Sequence, residues 1–152
     1  MNKPVLFCYD GSEGSKLALA AAANVIKPAD AVVLAVWTPA ALLLARAGSF
    51  VIAVPNEGEI DEHEAATARE IAEEGAADAR EHGYNASARI AQARESVAKT
   101  IDEIAQEIDA GLIVCGQRGR GAIGSALLGS VSHALAAHTK RPVLIAPQHP
   151  AS

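Results

Sequence analysis

Gly116, Gly119, Gly121, Gly124 and Gly129, with Ser130 directly after, lie behind the apolar run Leu112–Cys115 and ahead of a helical pattern, Val131, Leu135, Ala136. Arg118 and Arg120 sit among them. Glycines let a backbone come close to a ligand and take up φ > 0 without a steric penalty. A helix start presents unpaired N–H groups and a partial positive charge. The chemistry these residues suit is the cradling of phosphate. Arg118 and Arg120 would pair with phosphate oxygens, or else form a solvated basic loop.

Two familiar phosphate motifs do not fit. Gly119–Gly124 and Gly124–Gly129 have the glycine spacing of a Walker loop, but Ser125-Ala126 and Ser130-Val131 follow where Lys-Ser/Thr is required. Gly119-Arg-Gly121-Ala-Ile-Gly124 spells Gly-x-Gly-x-x-Gly, yet the next strand, Val143-Leu144-Ile145, ends without the acid that a dinucleotide site places on the ribose. Aromatic residues make up 3% of the chain, too few to favour a flavin sandwich. The five histidines have no ligand spacing, and two cysteines make neither a disulfide framework nor a metal cluster, so no metal site is expected.

The elements that must position the glycines follow from periodicity. Val5–Tyr9 is an apolar run with the reading of a strand buried on both faces, closed by Asp10-Gly11-Ser12. Ser12 or its neighbour caps a helix to about Ile26, whose inner stripe is Leu17, Ala18, Ala21, Ala22 and Val25. Ala31–Trp37 is a second strand. The apolar connection Thr38–Asn56 carries two readings, a lid or partner surface and a short helix tucked against the sheet. It is too short and too interrupted to span a membrane, which takes roughly 20 apolar residues. Glu57 to about Glu81 is a long helix stopped by Gly83. Ala86–Ala91 is a third strand, and Ser96 caps a helix through Ile108. Leu112–Cys115 is the fourth strand, Ser130 to about Thr139 the last helix and Pro142–Ala146 the fifth strand. Buried strands alternating with amphipathic helices imply an α/β fold with a parallel sheet and helices on both faces. In such sheets ligands sit at the carboxyl ends of the strands, where the winding reverses. The turns after Tyr9 and after Cys115 then face one crevice if their strands are neighbours.

Length and charge set the remaining bounds. At 152 residues one domain is expected, over residues 1–152. A net charge of −5 argues against a general nucleic-acid or membrane-surface binder. The start Met1-Asn2-Lys3-Pro4 has no signal-peptide layout, so a cytoplasmic protein is expected.

Taken together, Gly116-x2-Gly119-x9-Gly129-Ser130 resembles the signature of the ATP-binding branch of the universal stress protein family. The likeness extends to Val5–Ser12, Val32–Trp37, Asp109–Gly119 and Leu128–Ile145, and leaves only Pro39 to about His63 without a counterpart. It implies one Rossmann-like domain with a five-stranded parallel sheet in the order 3-2-1-4-5. It implies ATP as ligand, with Mg²⁺ possible on the phosphates, and a homodimer through the last strand, Val143–Ala146. It places Asp10 and Val36 at the adenosine end. Gly116, Arg118, Gly119, Gly129 and Ser130 fall at the ribose and phosphates, with Val131 adjoining through its N–H. The residue types agree, since an acid at a strand end accepts from ribose hydroxyls and a serine at a helix start offers a hydroxyl and an N–H. Taken singly, Asp10 also reads as a turn residue and Ser130 as an ordinary N-cap. Cys8 and Cys115 stand where that branch often has proline and methionine.

Cys8 and Cys115 end strands expected to be neighbours, and read as small buried side chains ahead of a redox pair. The function expected is that of an ATP-binding stress-response regulator. Without a Walker lysine or a candidate general base, hydrolysis is at most slow. The alternatives are an ATP-independent dimeric interaction module on the same fold and a true nucleotide hydrolase.

Overall fold

Val5–Cys8 forms strand β1 at the centre of the sheet. The computed structural model describes residues 2–48, 54–117 and 128–148. An apolar run can be buried on both sides only where helices cover both faces, and Leu6 and Phe7, pointing opposite ways, are both sealed from solvent. β1 pairs in parallel with β2 (Asp30–Trp37) and β4 (Leu112–Gly116), so that Val5 lies opposite Ala31 on one side and Leu112 on the other. β3 (Asn85–Gln92) extends the sheet beyond β2, and β5 (Val143–Ala146) extends it beyond β4. The order is β3-β2-β1-β4-β5, as the resemblance implied. The chain winds outward from β1 to β3, then crosses back to β4 and winds the other way. Its reversal falls between β1 and β4.

The helices divide between the two faces. α1 (Glu13–Val25) packs on β4 and β5, and α3 (Glu57–Glu81) packs on β2 and β3. Together they cover the side of Phe7, Tyr9 and Val33. α4 (Val97–Glu107) and α5 (Ser130–His138) cover the side of Leu6, Leu34 and Ile113. Each large apolar side chain fully buried in these layers contributes about 1.5–3 kcal/mol.

Local chemistry explains most of the boundaries. Ser12 caps α1 by accepting the Ser15 N–H, and Ser96 caps α4 by accepting the Lys99 N–H. α3 meets the sheet through Ala68, Ala72, Gly75, Ala76 and Ala79, small residues at helical spacing that bring the two backbones close. Gly75 has no spare room: a Cβ there would lie 2.7 Å from Val33 Cγ1.

Two expectations need correction. The buried stripe of α1 is Gly14, Ser15, Ala18, Leu19 and Ala22, and Val25 is 74% exposed. The run Leu17–Ala23 is apolar all round, so periodicity alone could not select its inner face; burial of Leu19 decides it. The 38–56 connection contains a short helix, α2 (Ala40–Arg46), but none of its residues is buried against the sheet. Arg141, just beyond the last helix, donates to the Asp109 carboxylate and to the Ala110 carbonyl. Among the described residues no helix is long and apolar enough to cross a membrane.

Candidate functional site

A crevice of about 540 Å³ opens at the carboxyl ends of β1, β2 and β4, within the size range of small-molecule sites. It lies where the winding reverses, as expected for an open parallel sheet. β1 delivers Cys8, Tyr9 and Asp10 to it; β2 delivers Leu34 and Val36, with Thr38 just beyond. Cys115 and Gly116 come from β4, and Gly129, Ser130, Val131 and Ser132 from the start of α5. Six of the eight positions expected to hold ligand therefore line one cavity: Asp10, Val36, Gly116, Gly129, Ser130 and Val131. The other two, Arg118 and Gly119, lie outside the described residues, as do Arg120, Gly121 and Gly124.

Asp10 does both things its type allows. Its Oδ1 accepts the Ser12 N–H at 2.9 Å, which shapes the turn through Gly11 at φ 77° and places Ser12 to cap α1. The same carboxylate group lines the crevice, half-buried. Among the described lining residues it is the charged one, so a ligand there meets a single fixed negative charge at the end of β1.

The opposite side of the crevice is built from backbone. Gly129 is the N-cap of α5, with φ −68° and ψ 167°, so Ser130 is the first helical residue and not the cap. The Gly129 N–H donates to the Gln117 carbonyl at 2.8 Å, and the buried Ser132 hydroxyl bonds the same carbonyl at 2.9 Å. Gln117 in turn donates its N–H to the Ala146 carbonyl at 2.7 Å. The end of β4, the start of α5 and the end of β5 are thus tied at one residue. The partial positive charge of α5 faces the crevice at Ser130 and Val131.

The remaining wall is apolar. Leu34 and Val36 stand two apart on one face of β2, and Val97 and Ile101 stand one turn apart on α4. Leu43 of α2 completes this end. Thr38, Leu43, Val97, Ile101 and Ser132 were not foreseen as site residues. Val97 and Ile101 were visible only as a core stripe, because periodicity does not show that the first turns of α4 reach crevice height. Ser132 is a serine within a helix start and has no signal of its own.

Cys8 and Cys115 both lie in the crevice, at the ends of neighbouring strands whose register sets Phe7 opposite Val114. Burial pushes the Cys115 thiol up to about 11. Burial, then the nearby Cys115 and Asp10, holds Cys8 well above its ordinary value. Both are protonated at neutral pH and pack as small apolar groups. Because the folded values are raised, this contribution to stability is complete below about pH 8.5 and is lost as pH rises towards 11. In the folded protein at pH 8, alkylation of Cys115 by iodoacetamide is expected to run roughly a hundredfold slower than that of free cysteine, since the thiolate is the nucleophile. Equal rates would contradict this environment. Burial also raises the Tyr9 phenol, with further help from its 3.1 Å hydrogen bond to Glu74.

Comparison with known proteins agrees with this architecture. The model of the universal stress protein family matches residues 1–147. No curated protein matches the chain. The solved structure of hypothetical protein MJ0577 is similar at TM-score 0.78 and 20% identity, covering 99% of each chain. Universal stress protein UspA from Lactobacillus plantarum is similar at TM-score 0.73 and 20% identity, over 95% of this chain and 97% of that one. Relatives of the same fold were solved with nucleotides. The protein from Archaeoglobus fulgidus is in complex with dAMP (TM-score 0.60, 20% identity, 95% and 97% covered), and the one from Arabidopsis thaliana has AMP bound (0.63, 14%, 97% and 92%). A further universal stress protein is in complex with cAMP (0.64, 23%, 97% and 98%).

Proposed function

The chain belongs to the universal stress protein family, and we propose that its crevice holds an adenine nucleotide, with ATP as the ligand of a stress-response regulatory protein. The observation that carries this reading is the convergence of Asp10, Val36, Gly116 and Gly129–Val131 on one cavity at the winding reversal. The AMP, dAMP and cAMP complexes of related proteins support the choice of adenine nucleotide. In this reading Val36 and its apolar neighbours take the base and the Asp10 carboxylate accepts from the ribose hydroxyls. The N–H groups at the start of α5 meet phosphate, with the Ser130 hydroxyl beside them. Arg118 and Gly119 belong to the phosphate end, and Mg²⁺ accompanies the phosphates of ATP. The glycine motif lacks the lysine of a Walker loop, so hydrolysis is at most slow. The whole of residues 1–152 acts as one nucleotide-binding domain.

Thermal denaturation with AMP, cAMP, ATP and ATP plus Mg²⁺ tests the reading. Ligand at 100 times its Kd stabilises by about 2.7 kcal/mol, which for a domain of this size raises Tm by about 5–10 °C. No rise with any adenine nucleotide at millimolar concentration would refute it. A second copy of the chain joins at β5, an edge strand whose Val143, Leu144 and Ile145 are only partly buried within one copy. Sedimentation velocity showing a monomer at micromolar concentration would rule this pairing out.

A further inference from the structure

The nucleotide reading leaves α2 without a role, and its construction is unusual. The helix Ala40–Arg46 carries Leu42, Leu43 and Leu44, yet none of its residues is buried. Leu43 is 53% exposed and at the same time lines the crevice. A short apolar helix of this kind has little of its own to hold it in place.

Among the described residues, α2 packs against α3 and is tied by one hydrogen bond to or from a side chain at each end. At its start the Ala40 N–H donates to Asp61 Oδ1 of α3 at 3.1 Å. At its finish Arg46 Nη2 donates to the Glu95 carbonyl at 2.6 Å, one residue before the cap of α4. α2 therefore bridges from α3 to the entrance of α4, beside the end of the crevice formed by Val36, Val97 and Ile101. Each tie is a single exchangeable bond, so α2 belongs to the low-stability part of the fold.

We propose that α2 is a roof over the base of the bound nucleotide, in which Leu43 is a base-contacting, specificity-determining side chain and Arg46 is the latch that holds the roof shut. The proposal rests on the nucleotide reading and adds to it the control of ligand release. Among the described residues Leu43 keeps 53% of its surface exposed at the crevice wall, and a flat heteroaromatic base set against Val36 and Ile101 would cover it. The charged end of the ligand lies away from α2, past the ribose at Asp10 and at the start of α5, so the roof grips the base and leaves the phosphates to the backbone.

The test compares AMP binding to the wild type, Leu43→Ala, Leu43→Met and Arg46→Ala by calorimetry, with dissociation followed on a ribose-labelled fluorescent AMP. Leu43→Ala is expected to weaken AMP by about fivefold, for the loss of part of a buried aliphatic contact, and Leu43→Met to restore wild-type affinity. Arg46→Ala is expected to speed dissociation about three- to tenfold, the range for one hydrogen bond. The unliganded Tm of all three should stay at the wild-type value, because both side chains are exposed in the free protein. Amide exchange across Leu42–Arg46 should slow when AMP is added to the wild type. Wild-type binding with unchanged affinity in Leu43→Ala and unchanged dissociation in Arg46→Ala overturns the roof alone. A wild type that takes up no AMP overturns the nucleotide reading, and the roof with it.

Discussion

Gly75→Val is expected to destabilise the fold by about 3 kcal/mol or more, lowering Tm by about 6–12 °C. The cause is contact distance. A Cβ on Gly75 would lie 2.7 Å from Val33 Cγ1 and 2.8 Å from Tyr9 Cδ1 and Cγ, well inside van der Waals separation. Neither neighbour can step aside, since Val33 is fully buried and Tyr9 is 3% exposed with its hydroxyl tied to Glu74. α3 would have to lift from the sheet, opening the layer formed by Ala68, Ala72, Ala76 and Ala79. Gly58 in the same helix provides the control. A Cβ there meets nothing within 4 Å, so Gly58→Ala should gain a few tenths to about 1 kcal/mol from helix propensity. Calorimetric melting of the two variants checks both; a Gly75→Val protein melting within 2 °C of wild type would show that α3 is not seated as described. Tyr9 adjoins Asp10, so the same variant should also bind nucleotide less well.

Asp10→Ala is expected to weaken AMP about ten- to a hundredfold, the loss of hydrogen bonds to a charged acceptor. The variant also removes the acceptor for the Ser12 N–H, 2.9 Å away, and so loosens the turn that presents the α1 cap. Asp10→Asn separates the two effects. Its amide oxygen can still accept from Ser12, so Tm should return close to wild type, while affinity should remain low without the negative charge. Isothermal titration beside a melting curve reads both. Asp10→Ala binding AMP as tightly as wild type would remove Asp10 from the site.

Most of the architecture was readable from apolar pattern, and the exceptions have physical causes. β1, β2 and β4 are near-continuous apolar runs that only a two-sided sheet can bury, and the polar or glycine-bearing turns after β1 and β4 mark the crevice. Ser12 and Ser96 announce α1 and α4 because a cap is a local, side-chain-to-backbone event. The inner face of α1 was misread because alanine and leucine surround its axis, and only the sheet decides which side is buried. α2 is ambiguous between lid and tucked helix because its leucines look like core residues; in the fold Leu43 faces the cavity and solvent, and Leu42 and Leu44 are only partly buried. At the site, Asp10, Gly116, Gly129 and Ser130 carry a signal in type or spacing, while Val36 and Val131 follow from the family resemblance. Thr38, Leu43, Val97 and Ile101 do not, because they reach the crevice by the relative height of three separate elements, which no spacing within one element encodes.

The central position of β1 has a consequence for the newborn chain. β1 is made first, and β2 can pair with it early, since Ala31 follows soon after Val5. Its other edge stays open until β4, which sets Leu112 opposite Val5, has been synthesised. At ribosomal speeds of about 5–20 residues per second, that interval is roughly 5–20 s. Throughout it this apolar central strand offers unpaired backbone groups to anything nearby. The crevice is last to be completed, because its floor needs β4 and its far wall needs α5. A chain released or stalled before Leu112 would hold a sticky half-sheet and no binding site.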